Sequence, residues 1–177
     1  MEQARLKVFI SYSWDNEKHK DWVLKLAKNL IEKYNVDVIL DRYDLSVGKN
    51  MTYFMENSLE VAHKVIMILT PNYKLKANNR KGGVGFENSM ISQELFKNQK
   101  DNTKFIPVLR IGSADESAPK FIESLIYHSM VDDNSFESDL EELARLIYEK
   151  PKLIKPCLLY TSPSPRDQRG SRMPSSA

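Results

Sequence analysis

Two glutamates, Glu87 and Glu94, stand where an α/β chain could do chemistry. They follow an apolar run, Val65-Ile66-Met67-Ile68-Leu69, short enough for a strand buried on both faces. The polar stretch from Thr70 to Gly85 reads as a loop, with a helix after it that carries Glu87 in its first turn. In an open α/β sheet, ligands bind in the crevice beyond the carboxyl ends of the strands, so an acid placed there can meet a substrate. Being seven residues apart, the two acids share one helix face, separated by two turns or ~10 Å. An acid at a helix start also complements the positive end of the macrodipole. From spacing alone, that structural role outweighs catalysis.

Other chemistries have less support. Gly82, Gly83 and Gly85 do not spell G-x-G-x-x-G and stand well beyond their strand, so they read as backbone freedom and clearance before the helix. No phosphate-binding P-loop is present. His19, His63 and His128 lack metal-ligand spacing and read as surface or helix-end residues. No metal site is expected.

The elements that must position the acids can be read in order. Leu6–Ser11 is a first strand, and Tyr12–Asn16 a polar and aromatic turn with Asp15 as the expected helix N-cap. From Asn16 to Tyr34, Trp22, Val23, Leu26, Ala27, Leu30 and Ile31 recur at helical spacing. Val36–Asp41 is a second strand ending on an acid, Arg42–Lys49 a loop, and Asn50–Ala62 a second amphipathic helix. Lys104–Leu109 is another strand, whose Pro107 suggests an edge position or a bulge. A loop over Arg110–Pro119, a short helix over Phe121–Ile126, a weak edge strand at Ser129–Val131 and a last helix over Ser135–Tyr148 complete the reading. Strands alternating with helices predict a flavodoxin-like, doubly wound, mainly parallel five-stranded sheet with helices on both faces.

Composition sets outer bounds. Of 177 residues, 41% are hydrophobic and 28% charged, as in a soluble globular domain. No apolar run approaches the ~20 residues of a membrane span, and the first residues lack a signal-peptide pattern, so a cytoplasmic location is expected. Residues 157–177 contain three Pro and five Ser without periodicity; Cys157–Asp167 resembles a reading-frame translation of a sequencing-library adapter, and this tail is expected to be non-native and disordered. It holds the only cysteine, three Arg and one Asp. Without it, basic and acidic groups balance, which leaves no nucleic-acid footprint. The expected layout is a domain over 1–150, the start of a truncated linker at 151–156, and a missing C-terminal sensor or effector domain.

Several segments together resemble a TIR domain: Phe9-Ile10-Ser11-Tyr12-Ser13, Val38-Ile39-Leu40-Asp41, the loop Arg42–Gly48, Leu69-Thr70-Pro71-Asn72-Tyr73 and Phe105-Ile106-Pro107-Val108-Leu109. Trp22-Val23, Asp41–Gly48 and Lys81–Glu87 are similar to the bacterial SEFIR branch of that superfamily. The resemblance covers roughly residues 5–150. It implies either an NAD+ glycohydrolase or cyclase, with NAD+ as substrate and no cofactor, or a non-enzymatic homotypic interaction module. In the enzymes a glutamate near the start of the helix after the third strand is catalytic, often within W-x-x-x-E. Glu87 matches that position, with Gly83 where the tryptophan would stand and Glu94 as runner-up. The resemblance further implies that Ser11, Tyr12, Ser13, Trp14, Asp41 and Asp44 flank the substrate, with Tyr12 or Trp14 stacking on a ring. It makes Arg42–Asn50 an assembly loop that inserts into a neighbouring copy, and in bacteria it points to anti-phage defence.

Overall fold

The computed structural model describes residues 5–79, 82–97, 102–150, 152–153 and 155–156, and for 82–89 the backbone alone. Short apolar runs form five strands: β1 (Lys7–Ser11), β2 (Asp37–Ile39), β3 (Lys64–Leu69), β4 (Phe105–Leu109) and β5 (His128–Ser129). All are parallel, in the order β2-β1-β3-β4-β5. This is the expected doubly wound sheet. Every residue of β3 is buried, as a strand covered on both faces requires.

Helices α1 (Glu17–Tyr34), α2 (Asp41–Asp44), α3 (Met51–Val61), α4 (Pro71–Asn78), α5 (Gly82–Lys97), α6 (Ala114–Ser117) and α7 (Phe136–Ile147) connect the strands. Because side chains alternate along a strand, each strand feeds two cores. Val8, Ile10, Ile66, Ile68 and Val108 pack against Val23, Leu26 and Leu30 of α1 and Leu140 and Leu143 of α7. Phe9, Val65, Met67, Leu69 and Phe105 point the other way, to Leu59 of α3, Tyr73 of α4, and Ile91 and Leu95 of α5. Each fully buried large side chain contributes roughly 1.5–3 kcal/mol.

Several expectations need correction. The helix N-cap is Asn16, whose side chain accepts the His19 amide at 2.8 Å; Asp15 is engaged elsewhere. The stretch from Thr70 to Gly85 is not a loop: Thr70 caps α4, Pro71 sits in its first turn, and α5 begins at Gly82. Glu87 therefore lies in the second turn of its helix, and Gly82, Gly83 and Gly85 have helical backbone. Asp41–Asp44 is a short helix that takes the expected last strand residue and the start of the expected loop, and Ala114–Ser117 is a short helix within an expected loop. Residues 120–122 form one 3-10 turn where a longer helix was expected. Pro107 is not on an edge strand, since β4 lies between β3 and β5. The two-residue β5 reaches only Val108 and Leu109, so the ladder on that side never requires an N–H at Pro107. The expected tail at 157–177 lies outside the described residues.

Candidate functional site

In this strand order, the chain leaves β1 for β2 on one side and returns to β3 on the other. The crevice beyond the carboxyl ends of β1 and β3 is thus the switch point where such sheets bind ligands. Its floor is tied together by short polar side chains. Ser11, the buried last residue of β1, shares a hydrogen bond of 2.9 Å between its Oγ and the Tyr73 hydroxyl. Ser13, also buried, pairs with Thr70 Oγ1 at 3.1 Å and donates to the Asp15 carboxylate. Asn72 Nδ2 donates to the same Asp15 oxygen at 2.8 Å. These bonds bring the β1–α1 turn against the start of α4.

Asp41, first residue of α2, gathers the aromatic residues of that turn. Its Oδ1 accepts from the Tyr12 hydroxyl at 2.8 Å and from the Arg42 amide at 2.7 Å, and its Oδ2 accepts from Trp14 Nε1 at 2.9 Å. Burial above all, then the charge and hydrogen bond of Asp41, push the Tyr12 phenol far above its usual ionisation range. Tyr12 is a buried strut. Trp14 is different: 51% exposed, with its indole nitrogen tied and the Lys20 ammonium 5.3 Å from its ring centroid. A fixed, exposed aromatic ring can stack on a planar ligand.

The remaining expected residues divide. The Asp44 carboxylate accepts the Leu40 amide at 3.0 Å and holds the α2 turn rather than the crevice. Glu94 pairs with Lys104 Nζ at 3.2 Å, just before β4, and so belongs to the amino-terminal rim of the sheet. That is about one strand length, or ~16 Å, from the switch point. Glu87 lies one helical turn before the buried Ile91 on α5, nearer the carboxyl rim, and its side chain is outside the described residues.

From α2 onward the chain is open to solvent. Tyr43 and Tyr53 are exposed, Val47 is fully so, and Gly48 takes φ +90 with nothing within 4 Å of an added Cβ. Lys49 Nζ donates to the Asp44 carbonyl at 2.8 Å and braces the turn.

The sequence reading missed His19. It is not a surface residue but is 4% exposed, stacked on Trp22 with ring centroids 6.5 Å apart. Burial chiefly lowers its pKa; Asp15 opposes this and Arg110 adds to it. The signal was present, because His19 lies three residues before Trp22 and seven before Leu26 on the apolar stripe of α1. Arg110 was also missed. Its guanidinium carbon lies 4.4 Å from the Trp22 ring centroid, and it pairs with Asp133 at 2.9 Å.

Comparison with known proteins gives a consistent picture. A family model described as TIR domain matches residues 8–146. The crystal structure of a prokaryotic SEFIR domain aligns with 40% identity and a TM-score of 0.66, covering 81% of this chain and 99% of that one. The TIR domain of a Toll-related receptor from Hydra magnipapillata aligns at 16% identity and TM-score 0.58, over 80% and 97% of the two chains. The TIR domains of the activated Roq1 resistosome, which recognises the pathogen effector XopQ, align at 12% and 0.58, over 79% and 98%. The latter two likenesses bear on the fold alone. No match is found among curated protein sequences.

Proposed function

The chain belongs to the TIR domain family, and from that membership we propose that it is an assembly-activated NAD+ nucleosidase with Glu87 as its catalytic carboxylate, acting in defence signalling. The observation that carries the reading is the exposed Trp14 ring, fixed by Asp41 beside the switch-point crevice. A pinned ring offers a stacking platform for nicotinamide or adenine with little ordering cost on binding.

The chemistry requires few groups. Cleaving the bond between ribose and nicotinamide passes through an oxocarbenium-like transition state. The bonding electrons leave with the ring nitrogen, so cationic nicotinamide departs neutral and needs no proton, in contrast to the acid-assisted leaving groups of most glycosidases. A carboxylate beside the ribose stabilises the developing positive charge, and water or an internal nucleophile completes hydrolysis or cyclisation. Ser11, Ser13 and Asp41 have their polar atoms engaged within the protein, and they shape the crevice rather than contact substrate.

A second reading, a homotypic interaction module without catalysis, draws on the 40% identity to a prokaryotic SEFIR domain and on the solvent-facing Tyr43 and Val47. A groove of about 510 Å³, lined in part by Phe105, Ile106, Ile126, Tyr127 and Leu146, offers an apolar surface for a neighbour's loop. Nicotinamide release by the concentrated protein separates the two. The catalytic reading expects release that rises more steeply than protein concentration, is lost in Glu87→Ala, persists in Glu94→Ala and falls in Val47→Glu. No release even when copies are clustered on a support favours the interaction module. Release that survives Glu87→Ala and is lost in Glu94→Ala moves the role to the other acid.

A further inference from the structure

The short β5 leaves a gap beside β4. It pairs only with Val108 and Leu109, so among the described residues no strand flanks Phe105, Ile106 and Pro107 on that side. The groove of about 510 Å³ lies there, toward the amino-terminal rim of the sheet and away from the switch-point crevice. Its walls are largely apolar, with Ile106 and Pro107 from β4, Ile126 and Tyr127 from the segment before β5, and Leu146 from α7. Ile126 is 94% exposed, and Tyr127 and Leu146 are also open to solvent. A groove of this size suits a small organic ligand.

One end of the groove is charged. Lys64, the first residue of β3, is buried and lines it. Its Nζ donates to the Thr103 carbonyl and to the Glu149 carboxylate. A buried ammonium needs such an anion, because an unpaired charge away from water is costly. The anion comes from a strained position. Glu149 follows α7 with φ +54, in the left-handed backbone that helix ends usually give to Gly or Asn. Its side chain is nevertheless 61% exposed, so it covers Lys64 from outside and is not packed into the protein. The hydrogen bond and charge of Lys64 hold its carboxyl below the ordinary range. Arg145 lines the same end and is paired with Glu141 at 2.9 Å.

Glu149 is thus a built-in carboxylate on a buried lysine, at the end of an otherwise apolar groove. We propose that the groove binds a small amphipathic monocarboxylate, whose chain lies along the β4 edge and whose carboxylate replaces that of Glu149 on Lys64. The exchange brings one negative charge in and releases one to water, so Lys64 is never left unpaired and the Arg145–Glu141 pair stays in place. An uncharged ligand cannot make this exchange. A bound acid closes the groove to the neighbour's loop of the interaction reading. Its own binding rests on neither reading of the function and does not involve Glu87.

Calorimetric titration of the dilute full chain with hexanoate, octanoate and octanol tests this, together with amide NMR. Octanoate should bind roughly two- to fourfold tighter than hexanoate for each added methylene, and at least tenfold tighter than octanol. It should move the amides of Phe105, Ile106 and Ile126–Ser129 while the indole signals of Trp14 and Trp22 stay put. Glu149→Gly suits the left-handed backbone and frees Lys64, so it should bind octanoate at least fivefold tighter. Lys64→Met should bind octanoate and octanol alike, and Glu87→Ala should bind octanoate as the parent does. Ile126 is exposed, so Ile126→Asp keeps the fold and should weaken octanoate at least tenfold. Octanol binding as tightly as octanoate, unmoved amides along the groove, or unchanged or weaker affinity in Glu149→Gly overturns the proposal.

Discussion

Asp41→Ala should be the most informative single change at the switch point. It removes the acceptor of a buried phenol, a half-exposed indole and a backbone amide at 2.8, 2.9 and 2.7 Å. A buried hydroxyl left without a partner costs ~1–3 kcal/mol. The Trp14 nitrogen and the Arg42 amide lie where water can replace the carboxylate, so their loss adds only a few tenths of a kcal/mol. The expected total is about 2–3 kcal/mol, or a fall in melting temperature of roughly 4–12 °C for a domain of this size. Tyr12→Phe removes only the hydroxyl and should cost about 1 kcal/mol. In the double variant, no orphaned hydroxyl remains, so the two changes should cost about 1–2 kcal/mol less together than their sum. Urea unfolding followed by the emission of Trp14 and Trp22 measures all four corners of the cycle. An Asp41→Ala loss below ~0.5 kcal/mol, or strict additivity of the two changes, would refute the claim that this carboxylate fixes the aromatic turn.

Three further outcomes are expected. The His19 pKa is held below the ordinary value of 6.5, so on acidification the unfolded chain takes up its proton first. Its contribution to stability is full above about pH 6.5 and is lost as pH falls toward the folded value, by at most ~1.4 kcal/mol per pH unit; urea midpoints between pH 7.5 and 5 should show the loss, and His19→Phe should flatten that part of the profile. Gly112→Ala should destabilise by about 1 kcal/mol more than Gly48→Ala on thermal melting. Both glycines have positive φ, but only at Gly112 would the new Cβ meet Glu116 Oε2 at 2.9 Å and disturb the capping box with Ser113. Asn16→Ala should cost about 1 kcal/mol through loss of the α1 cap, read as a lower denaturant midpoint with unchanged slope.

The fold was legible wherever periodicity and burial agree. Lys64–Leu69 is apolar because both its faces are covered, and α1 and α7 show a stripe because each packs on one side only. The region after β3 was harder to read, since Asn, Lys and Gly conceal helices that packing imposes. One cue there deserved more weight: Thr70 followed by Pro71 is a helix start, with a hydroxyl cap and a ring that needs no N–H. At the site, Asp41 stood out as an acid ending a strand, but its bonds to Tyr12 and Trp14 cross 29 and 27 residues and arise only from strand order. His19 was misread because its residue type was given more weight than its place on the apolar stripe of α1, three residues before Trp22, which pointed to the core.

The sheet ends on both sides in very short strands, three residues in β2 and two in β5. Unpaired strand edges are templates for fibre growth, and brevity is one way of blunting them. Under the proposed assembly-dependent function, this separates two modes of association. Copies can meet through loops and helix faces, whose contacts form and dissolve with concentration, while the backbone offers little rail along which sheets could add irreversibly. The sheet that supports the crevice is therefore also a brake on amyloid-like growth when the protein is concentrated.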